Sequence, residues 1–212
     1  MDLDLVLRQQ QHQLLALLSE LGDEQFSKGS LCRDFDVHHV LAHLVVQLST
    51  PPLKRGLSIA RHRRNRPQAQ LALAKEVGLA SSDQLLKRYA SLISNTEKLP
   101  EKLVVPRLTD TVIHTVDVCR PLSIALPPME FDFAPLLDFL ASDTALLEFV
   151  AAPLPNVTFV ATDANWRAGR GPQVSGKSLD LAMAITARPN ATRGLSGPGV
   201  ESVAQWARVH GR

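Results

Sequence analysis

Apolar residues recur every three or four positions over about the first 150 residues, and this helical spacing constrains the fold more than any other feature. Gly22 ends the first amphipathic segment, Asp36 is a good N-cap for the second, and Pro51 and Pro52 end that one. The expected helices span about residues 3–21, 36–48, 82–99, 107–122 and 133–151. With no convincing strand between them, these segments predict an up-down bundle of antiparallel helices.

The pattern changes after Pro155. Residues 156–162 (NVTFVAT) alternate β-branched and aromatic residues as a strand does, glycines and a proline at 169–172 supply turns, and 173–175 can form a short second strand. Helical spacing returns at about 179–187 and 200–209. The sequence therefore predicts an α+β protein, with a helical bundle over residues 1–152 and a small α+β domain over residues 153–212.

Composition restricts the class of protein. The chain has 212 residues, 45% of them hydrophobic and 21% charged, as in soluble globular proteins. A net charge of +2 does not favour nucleic acid as a partner. The two cysteines suit a reducing compartment, the acidic N-terminus is unlike a signal peptide, and no apolar run is long enough to cross a membrane. We expect a cytoplasmic protein without a membrane partner.

One constellation of residues points to chemistry. Asp110 and His114 are four residues apart on a predicted helix, so that both side chains leave the same face. Helical bundles commonly assemble metal sites from such a pair and a ligand on a facing helix. His43, within VLAHLVV on the second predicted helix, is the candidate third ligand because its apolar neighbours direct it toward the interior. The expected site holds one divalent metal ion on His43, Asp110 and His114.

Spacing alone leaves other interpretations open. An interior histidine is more often hydrogen-bonded within a core than bound to a metal, and an aspartate four residues before a histidine is a common helical ion pair. His39 and His43 are also four apart and can act as a pair. His38 and His39 fall in the first turn of their helix, where we expect them to be solvated.

Longer motifs carry a resemblance to a known family. The segment LCRDFDVHHVLAHLV resembles the second-helix motif of the mycothiol-dependent maleylpyruvate isomerase family, in the DinB-like metalloenzyme superfamily, which reads approximately L-C-x-G-W-T-V-x-D-V-L-A-H-L. TDTVIHTVDVCRPLSIALPP is similar to the family's E-x-x-x-H-x-x-D segment. TDANWRAGRGPQVSGKSLDLAMAITARP is similar to its C-terminal domain, with a D-x-x-W hairpin and a V-x-G element. The resemblance covers nearly the whole chain and is weakest at about residues 50–80.

The resemblance implies a DinB-like bundle and a zinc-dependent, thiol-dependent enzyme. By position, the family's two histidines and glutamate fall on His43, His114 and Asp110, and an active-site arginine of the C-terminal domain falls on Arg188. Zinc, or another divalent metal, and mycothiol are the implied cofactors. The implied reaction is isomerisation or S-transfer, in which the metal-bound thiolate attacks a small-molecule electrophile and Arg188 binds a substrate carboxylate.

Departures from the family pattern support a second hypothesis. Asp110 stands where the family has glutamate and is one methylene shorter, Phe35 and Asp36 replace Trp-Thr, and Ala187 replaces a glycine. Asp117 matches the family's aspartate and can orient a ligand histidine, or it can be a helix-surface carboxylate. The alternative is thus a non-catalytic binding or regulatory protein whose metal site is weak or lost.

A basic stretch, KRGLSIARHRRNRP at residues 54–67, is the remaining notable feature. It can bind an anionic partner, either an acidic ligand or nucleic acid, or it can be a solvated, mobile loop. We predict the loop, because no aromatic residues alternate with the basic ones as nucleic-acid binding usually requires.

Overall fold

Seven helices make up the N-terminal unit, Met1–Met129, in the computed structural model, which describes residues 1–94 and 99–211. They are α1 (Leu3–Ser19), α2 (Asp23–Phe26), α3 (Val37–Ser49), α4 (Pro52–Arg61), α5 (Arg66–Val77), α6 (Ser82–Ile93) and α7 (Glu101–Leu122). The four longer predicted helices of this unit are confirmed as α1, α3, α6 and α7. The third helix was predicted to continue to Pro100, and its last part, residues 95–98, lies outside the described residues.

Helices α1, α3, α6 and α7 form a four-helix bundle. α3 packs against α6 and α7, and α1 packs against the same two helices, so the four close into a ring. The buried side chains that join them include Leu14, Leu18, Leu41, Leu85 and Val118. Apolar burial of this kind stabilises the bundle, because most of the stability of a helix in a protein comes from the packing of its apolar face.

The segment after α3 differs from its prediction as a loop. Residues 52–61 form α4, which starts with Pro52 in the first turn, and Asn65 caps α5 by accepting a hydrogen bond from the backbone of Gln68. α4 packs on α5, and α5 packs on α3. The loop prediction was wrong over residues 54–61, because the buried residue of α4 is the polar Ser58, whose hydroxyl donates to the carbonyl of Ala69, and a single polar contact gives no apolar periodicity.

The α4–α5 hairpin determines the direction of the next helix. The imidazole of His38, at the start of α3, contacts the hydroxyl of Ser82, at the start of α6, at 2.9 Å. At the other end, the guanidinium of Arg88 donates to the hydroxyl of Ser49 at 3.1 Å. α3 and α6 therefore run in the same direction, whereas a simple up-down connection would have made them antiparallel.

Helix α7 supplies two of the candidate ligands and starts earlier than predicted. We expected it to begin at about Arg107, after Pro106, but it runs from Glu101 with Pro106 inside it. A proline in a helix costs about 3 kcal/mol, since it lacks an N–H group. Burial of Val104 and Leu108, on either side of the proline, offsets this cost.

The C-terminal unit, Glu130–Arg212, combines helices with a small sheet. Its elements are α8 (Ala134–Leu140), α9 (Asp143–Phe149), β1 (Thr158–Ala161), β2 (Arg167–Gly169), β3 (Gln173–Gly176), α10 (Ser178–Ile185), a 3₁₀ turn (Ala191–Gly194) and α11 (Val200–His210). The strand order is β2-β1-β3, with β1 antiparallel to β2 and parallel to β3. The α+β class is confirmed.

The compact units divide the chain earlier than the predicted boundary at 152. The single helix expected at 133–151 is two short helices, because Ser142 caps α9 and interrupts the run. α8 packs against α10, and the indole Nε1 of Trp166 donates to the carboxylate of Asp138 on α8 at 2.8 Å. These contacts include α8 in the C-terminal unit.

Membrane insertion through a helix has no candidate segment in the described part of the chain. None of its helices combines the length and the hydropathy that a bilayer crossing requires.

Candidate metal centre

The first candidate ligand, His43, lies in the buried half of α3. Asp36 caps this helix by accepting a hydrogen bond from the backbone N–H of His39, which fixes the helical phase from the first turn. The flanking residues Ala42 and Leu44 are buried, and His43 itself is 2% exposed. The sequence of α3 thus holds an imidazole inside the bundle, where a polar ring needs a partner.

That partner lies on α7. The Nε2 atom of His43 is 3.3 Å from Oδ1 of Asp110, and the Nε2 atom of His114 is 3.4 Å from the same oxygen. The two imidazole rings have centroids 4.7 Å apart and meet edge to face. One helical turn on α7 and one position on α3 thus bring the three predicted ligands together.

The spacing of the three side chains suits a single ion. One ligand atom from each of His43, Asp110 and His114 can be chosen so that all lie within 4.8 Å of one another. Two atoms bound about 2.1 Å from a tetrahedral zinc ion are about 3.4 Å apart. Two of the three donor separations, at 3.3 and 3.4 Å, match that value, so Asp110 lies at a suitable distance from each imidazole for a shared metal ion.

The ionisation of each group in the centre depends on the charges of its neighbours. Burial opposes ionisation of Asp110, but the facing charges and hydrogen bonds of His43 and His114 hold the pKa of this carboxyl far below its usual range. Burial likewise disfavours the charged form of His114, but Asp110 and Asp117 raise the pKa of its imidazole to about 9. Asp110 is therefore an anion at neutral pH, and a proton holds the position that a metal would take on His114.

Asp117 contacts the far side of the His114 ring. Its Oδ2 is 2.9 Å from Nδ1 of His114, and its side chain is fully buried. Of the two interpretations of Asp117, the structure excludes the helix-surface carboxylate. A hydrogen bond from Nδ1–H to Asp117 leaves the Nε2 lone pair of a neutral imidazole directed at Asp110 and His43, as metal ligation requires.

The neighbouring histidines are engaged elsewhere. The Nδ1 atom of His39 is 2.6 Å from the capping carboxylate of Asp36, and its ring stacks on Phe35. His38 contacts both Ser82 and the backbone carbonyl of Gly78. The His39–His43 pair is therefore not formed, and the expectation that His38 is solvated was wrong, because this side chain joins α3 to the start of α6.

Two further polar residues near the centre were not among the predicted functional residues. The amide of Gln47, one turn after His43 on α3, has its nitrogen 3.4 Å from Nε2 of His43. Tyr89 on α6 is buried, and its hydroxyl makes no hydrogen bond within residues 1–94 and 99–211. Burial and the charge of Asp110 raise the pKa of Tyr89, so its hydroxyl stays protonated. The position of Gln47 four residues after His43 was the available signal.

The cysteines give no second centre for chemistry. Burial raises the pKa of the Cys119 thiol to about 11, so it remains protonated at neutral pH and is a poor nucleophile. Cys32 and Cys119 form no disulfide.

Arg188, the predicted substrate-binding arginine, lies in the C-terminal unit directly after α10. Its side chain is buried, and its Nη1 donates to the backbone carbonyl of Thr186 at 3.3 Å. Ala187, in the position where the related motif has glycine, adopts a left-handed conformation with φ of 53°. Glycine would adopt this conformation at lower cost, which explains why the related motif carries it.

Comparison with known proteins agrees with this architecture. Residues 7–119 match the family model described as the mycothiol maleylpyruvate isomerase N-terminal domain. The fold is similar to the crystal structure of the mycothiol-dependent maleylpyruvate isomerase, with a TM-score of 0.60 and 15% identity over 93% of each chain. A histidine-to-alanine mutant of that enzyme gives a TM-score of 0.59, with the same identity and coverage. No curated protein sequence matches. The chain belongs to the mycothiol maleylpyruvate isomerase N-terminal domain family.

Proposed function

We propose that this protein is a metal-dependent enzyme that uses a low-molecular-weight thiol, mycothiol, to isomerise an electrophilic small molecule or to transfer the thiol to it. The observation that carries this proposal is the convergence of His43, Asp110 and His114 within 4.8 Å, in a member of a family named for a mycothiol-dependent isomerase. Two cysteines that form no disulfide also support a cytoplasmic location.

The donor set fits zinc. Two imidazoles and one carboxylate are typical of catalytic zinc sites, which keep a position for substrate, whereas structural sites are closed by four protein ligands. A zinc ion held by these residues would lower the pKa of a bound thiol and so make it a nucleophile at neutral pH. Oδ1 of Asp110 lies within 3.4 Å of Nε2 of both imidazoles, which supports Asp110 as the anionic ligand despite its shorter side chain.

The protein's own residues orient and isolate this position. Asp117 holds the ring of His114, and the amide of Gln47 lies beside Nε2 of His43. The protonated hydroxyl of Tyr89, buried and without a protein partner among the described residues, is a hydrogen-bond donor for a bound ligand. From the resemblance of its segment, we assign to Arg188 the binding of a substrate carboxylate, for which a planar guanidinium is suited.

Loading the protein with Co²⁺, a spectroscopic substitute for Zn²⁺, and then adding mycothiol tests the proposal. We expect a thiolate-to-cobalt charge-transfer absorption that saturates at about one thiol per metal, because one coordination position is available for the thiol. The exposed-residue variant His12→Ala should behave as the wild type does. A protein that binds cobalt but never the thiol would instead support the non-catalytic alternative, and one that binds neither would contradict both the metal and the thiol proposals.

The role of Asp117 gives a separate prediction. Asp117→Asn should lower zinc affinity by about 10- to 100-fold, because outer partners of ligand histidines fix the ring tautomer and raise its basicity. Competition with a chromogenic chelator measures this affinity. Asp36→Asn is a matched control, since it changes the aspartate beside His39 and preserves the helix cap. Equal zinc affinity in Asp117→Asn and wild type would show that Asp117 does not tune the centre.

A further inference from the structure

Two arginines lie at one end of the metal centre. Arg107 precedes Asp110 by three residues on α7, so it lies on the same face of that helix. Arg55 extends from α4, and its Nη2 donates to the backbone carbonyl of Gln47 at 3.2 Å. Gln47 in turn lies 3.4 Å from His43, which places Arg55 beside the C-terminal half of α3.

The directions of the helices bring the two arginines to the same end. The backbone of Leu31 donates to the carbonyl of Asp117, whereas the later residue His43 contacts the earlier residue Asp110. α3 and α7 are therefore antiparallel, and the C-terminal half of α3 lies beside the N-terminal half of α7. Arg55 and Arg107 thus lie beside the same end of the metal centre.

Neither Arg55 nor Arg107 forms an ion pair with a carboxylate among the described residues. Arg107 is half-buried, and its guanidinium forms no hydrogen bond or ion pair with any residue in 1–94 or 99–211. Burial and the positive charge of Arg55 both lower the pKa of Arg107, while Asp110 acts in the opposite direction. Oδ1 of Asp110 contacts the imidazoles of His43 and His114, so this oxygen belongs to the metal centre and does not pair with Arg107.

Four other basic residues of the stretch do not share this position. Lys54 pairs with Glu76 at 2.7 Å, and the side chains of Arg61, Arg63 and Arg64 are exposed. Arg55 is half-buried against α3. Two like charges held near each other in half-buried positions are unfavourable unless an anion lies between them, and guanidinium groups bind carboxylates through paired hydrogen bonds.

We propose that Arg55 and Arg107 form a binding site for a carboxylate of the small molecule that reacts at the metal centre. The inference rests on the proposed function, since it takes the metal centre as the place of reaction. It also assigns a role to one residue of the basic stretch, and it adds a carboxylate-binding site within the N-terminal unit to the one assigned to Arg188.

Succinate, an unreactive dicarboxylate, is the probe for this site. Isothermal titration of succinate into zinc-loaded protein should give an affinity that falls about 10-fold or more in Arg107→Gln and in Arg55→Gln, because each change removes charge-assisted hydrogen bonds. Arg61→Gln, in the same stretch but exposed, should match the wild type. Arg107→Lys keeps the positive charge but loses the paired guanidinium donors, so its succinate affinity should lie between those of the wild type and Arg107→Gln. It serves as the test variant if Arg107→Gln does not fold.

The test separates this inference from the metal proposal. Both glutamine variants should keep wild-type zinc content, and metal-free protein should still bind succinate through the same arginines. Failure of zinc to bind, with the succinate effects intact, would contradict the proposed function alone. Succinate binding that is unchanged in both variants or lost only in Arg188→Gln, or preferential binding of inorganic phosphate, would overturn the carboxylate site.

Discussion

Replacing His114 with alanine should lower zinc affinity by more than about 100-fold, a larger loss than the 10- to 100-fold typical of a residue that acts through a ligand. His114 and His43 are the two imidazoles that face Oδ1 of Asp110, at 3.4 and 3.3 Å. Loss of either leaves two protein donors, too few to hold a catalytic zinc site. The measurements are metal content after zinc reconstitution and chelator competition, and His43→Ala should give the same result.

His38→Ala is the matched control for this prediction. His38 is on the same helix as His43, but its ring bonds to Ser82 and Gly78, so its removal should lower the free energy of unfolding while leaving about one zinc ion per chain. If His114→Ala and His43→Ala retain wild-type zinc content, the three residues are an internal hydrogen-bonded cluster and the metal proposal is wrong. Chemical denaturation of each variant distinguishes loss of a ligand from loss of the fold.

Substitutions of Asp110 address the departure from the family pattern. Because Asp110 reaches both imidazoles, Asp110→Asn should lose most zinc affinity through removal of the anionic donor, whereas Asp110→Glu should retain a metal site. If Asp110→Glu binds zinc far more tightly than the wild type does, the aspartate has weakened the site, as the non-catalytic alternative supposes. The same chelator competition measures both variants.

The sequence predicted the helices that have both a cap and a clear apolar stripe. Asp36 and the spacing from Val37 to Leu48 located α3 to within a residue, since the cap and the periodicity agree. α5 was not predicted, because its buried face consists mainly of small residues. The start of α7 was predicted too late, because a proline usually ends a helix. Burial in the tertiary structure, which a local pattern does not record, decided both cases.

The residues of the candidate site also differ in how far the sequence could predict them. The spacing of Asp110 and His114 on one helix was sufficient to pair them, but selecting His43 over His39 required the resemblance. The structural reason is that His39 bonds to the cap residue Asp36, and His43 lies one turn deeper. Arg55 could not have been placed from sequence, because its approach to α3 depends on the α4–α5 hairpin. The ligand roles of the three converging residues, and that of Arg188, stay predictions.

Zinc affinity should rise with pH between about 6.5 and 9, by up to about tenfold per pH unit. Desolvation of His114 acts against its protonation, but the charges and hydrogen bonds of Asp110 and Asp117 raise the pKa of this imidazole from 6.5 to about 9. A proton on Nε2 must therefore leave before that atom can bind a metal. Chelator competition at a series of pH values measures the slope, and proton release on zinc binding, measured in buffers of different ionisation enthalpy, provides an independent check.

The proton on His114 should make the stability of the metal-free protein fall with pH, whereas zinc affinity rises. Because the pKa of His114 is higher in the folded than in the unfolded chain, its contribution to stability is complete below pH 6.5 and is lost as the pH rises through about 9. The depressed pKa of Asp110 contributes stability above its ordinary value of 3.8, which is lost as the pH falls. Urea denaturation in the presence of a chelator should thus show a free energy of unfolding that declines from pH 6.5 to 9.

Asp110→Asn separates this linkage from other pH effects. The variant removes the principal charge that raises the pKa of His114, so the decline of metal-free stability from pH 6.5 to 9 should become shallower. A wild-type protein whose metal-free stability is flat over this range, or an Asp110→Asn variant with an undiminished decline, would contradict the assigned ion pair. If both trends hold, proton and metal compete for one atom of His114, so the pH at which the protein is purified determines how readily it retains its metal.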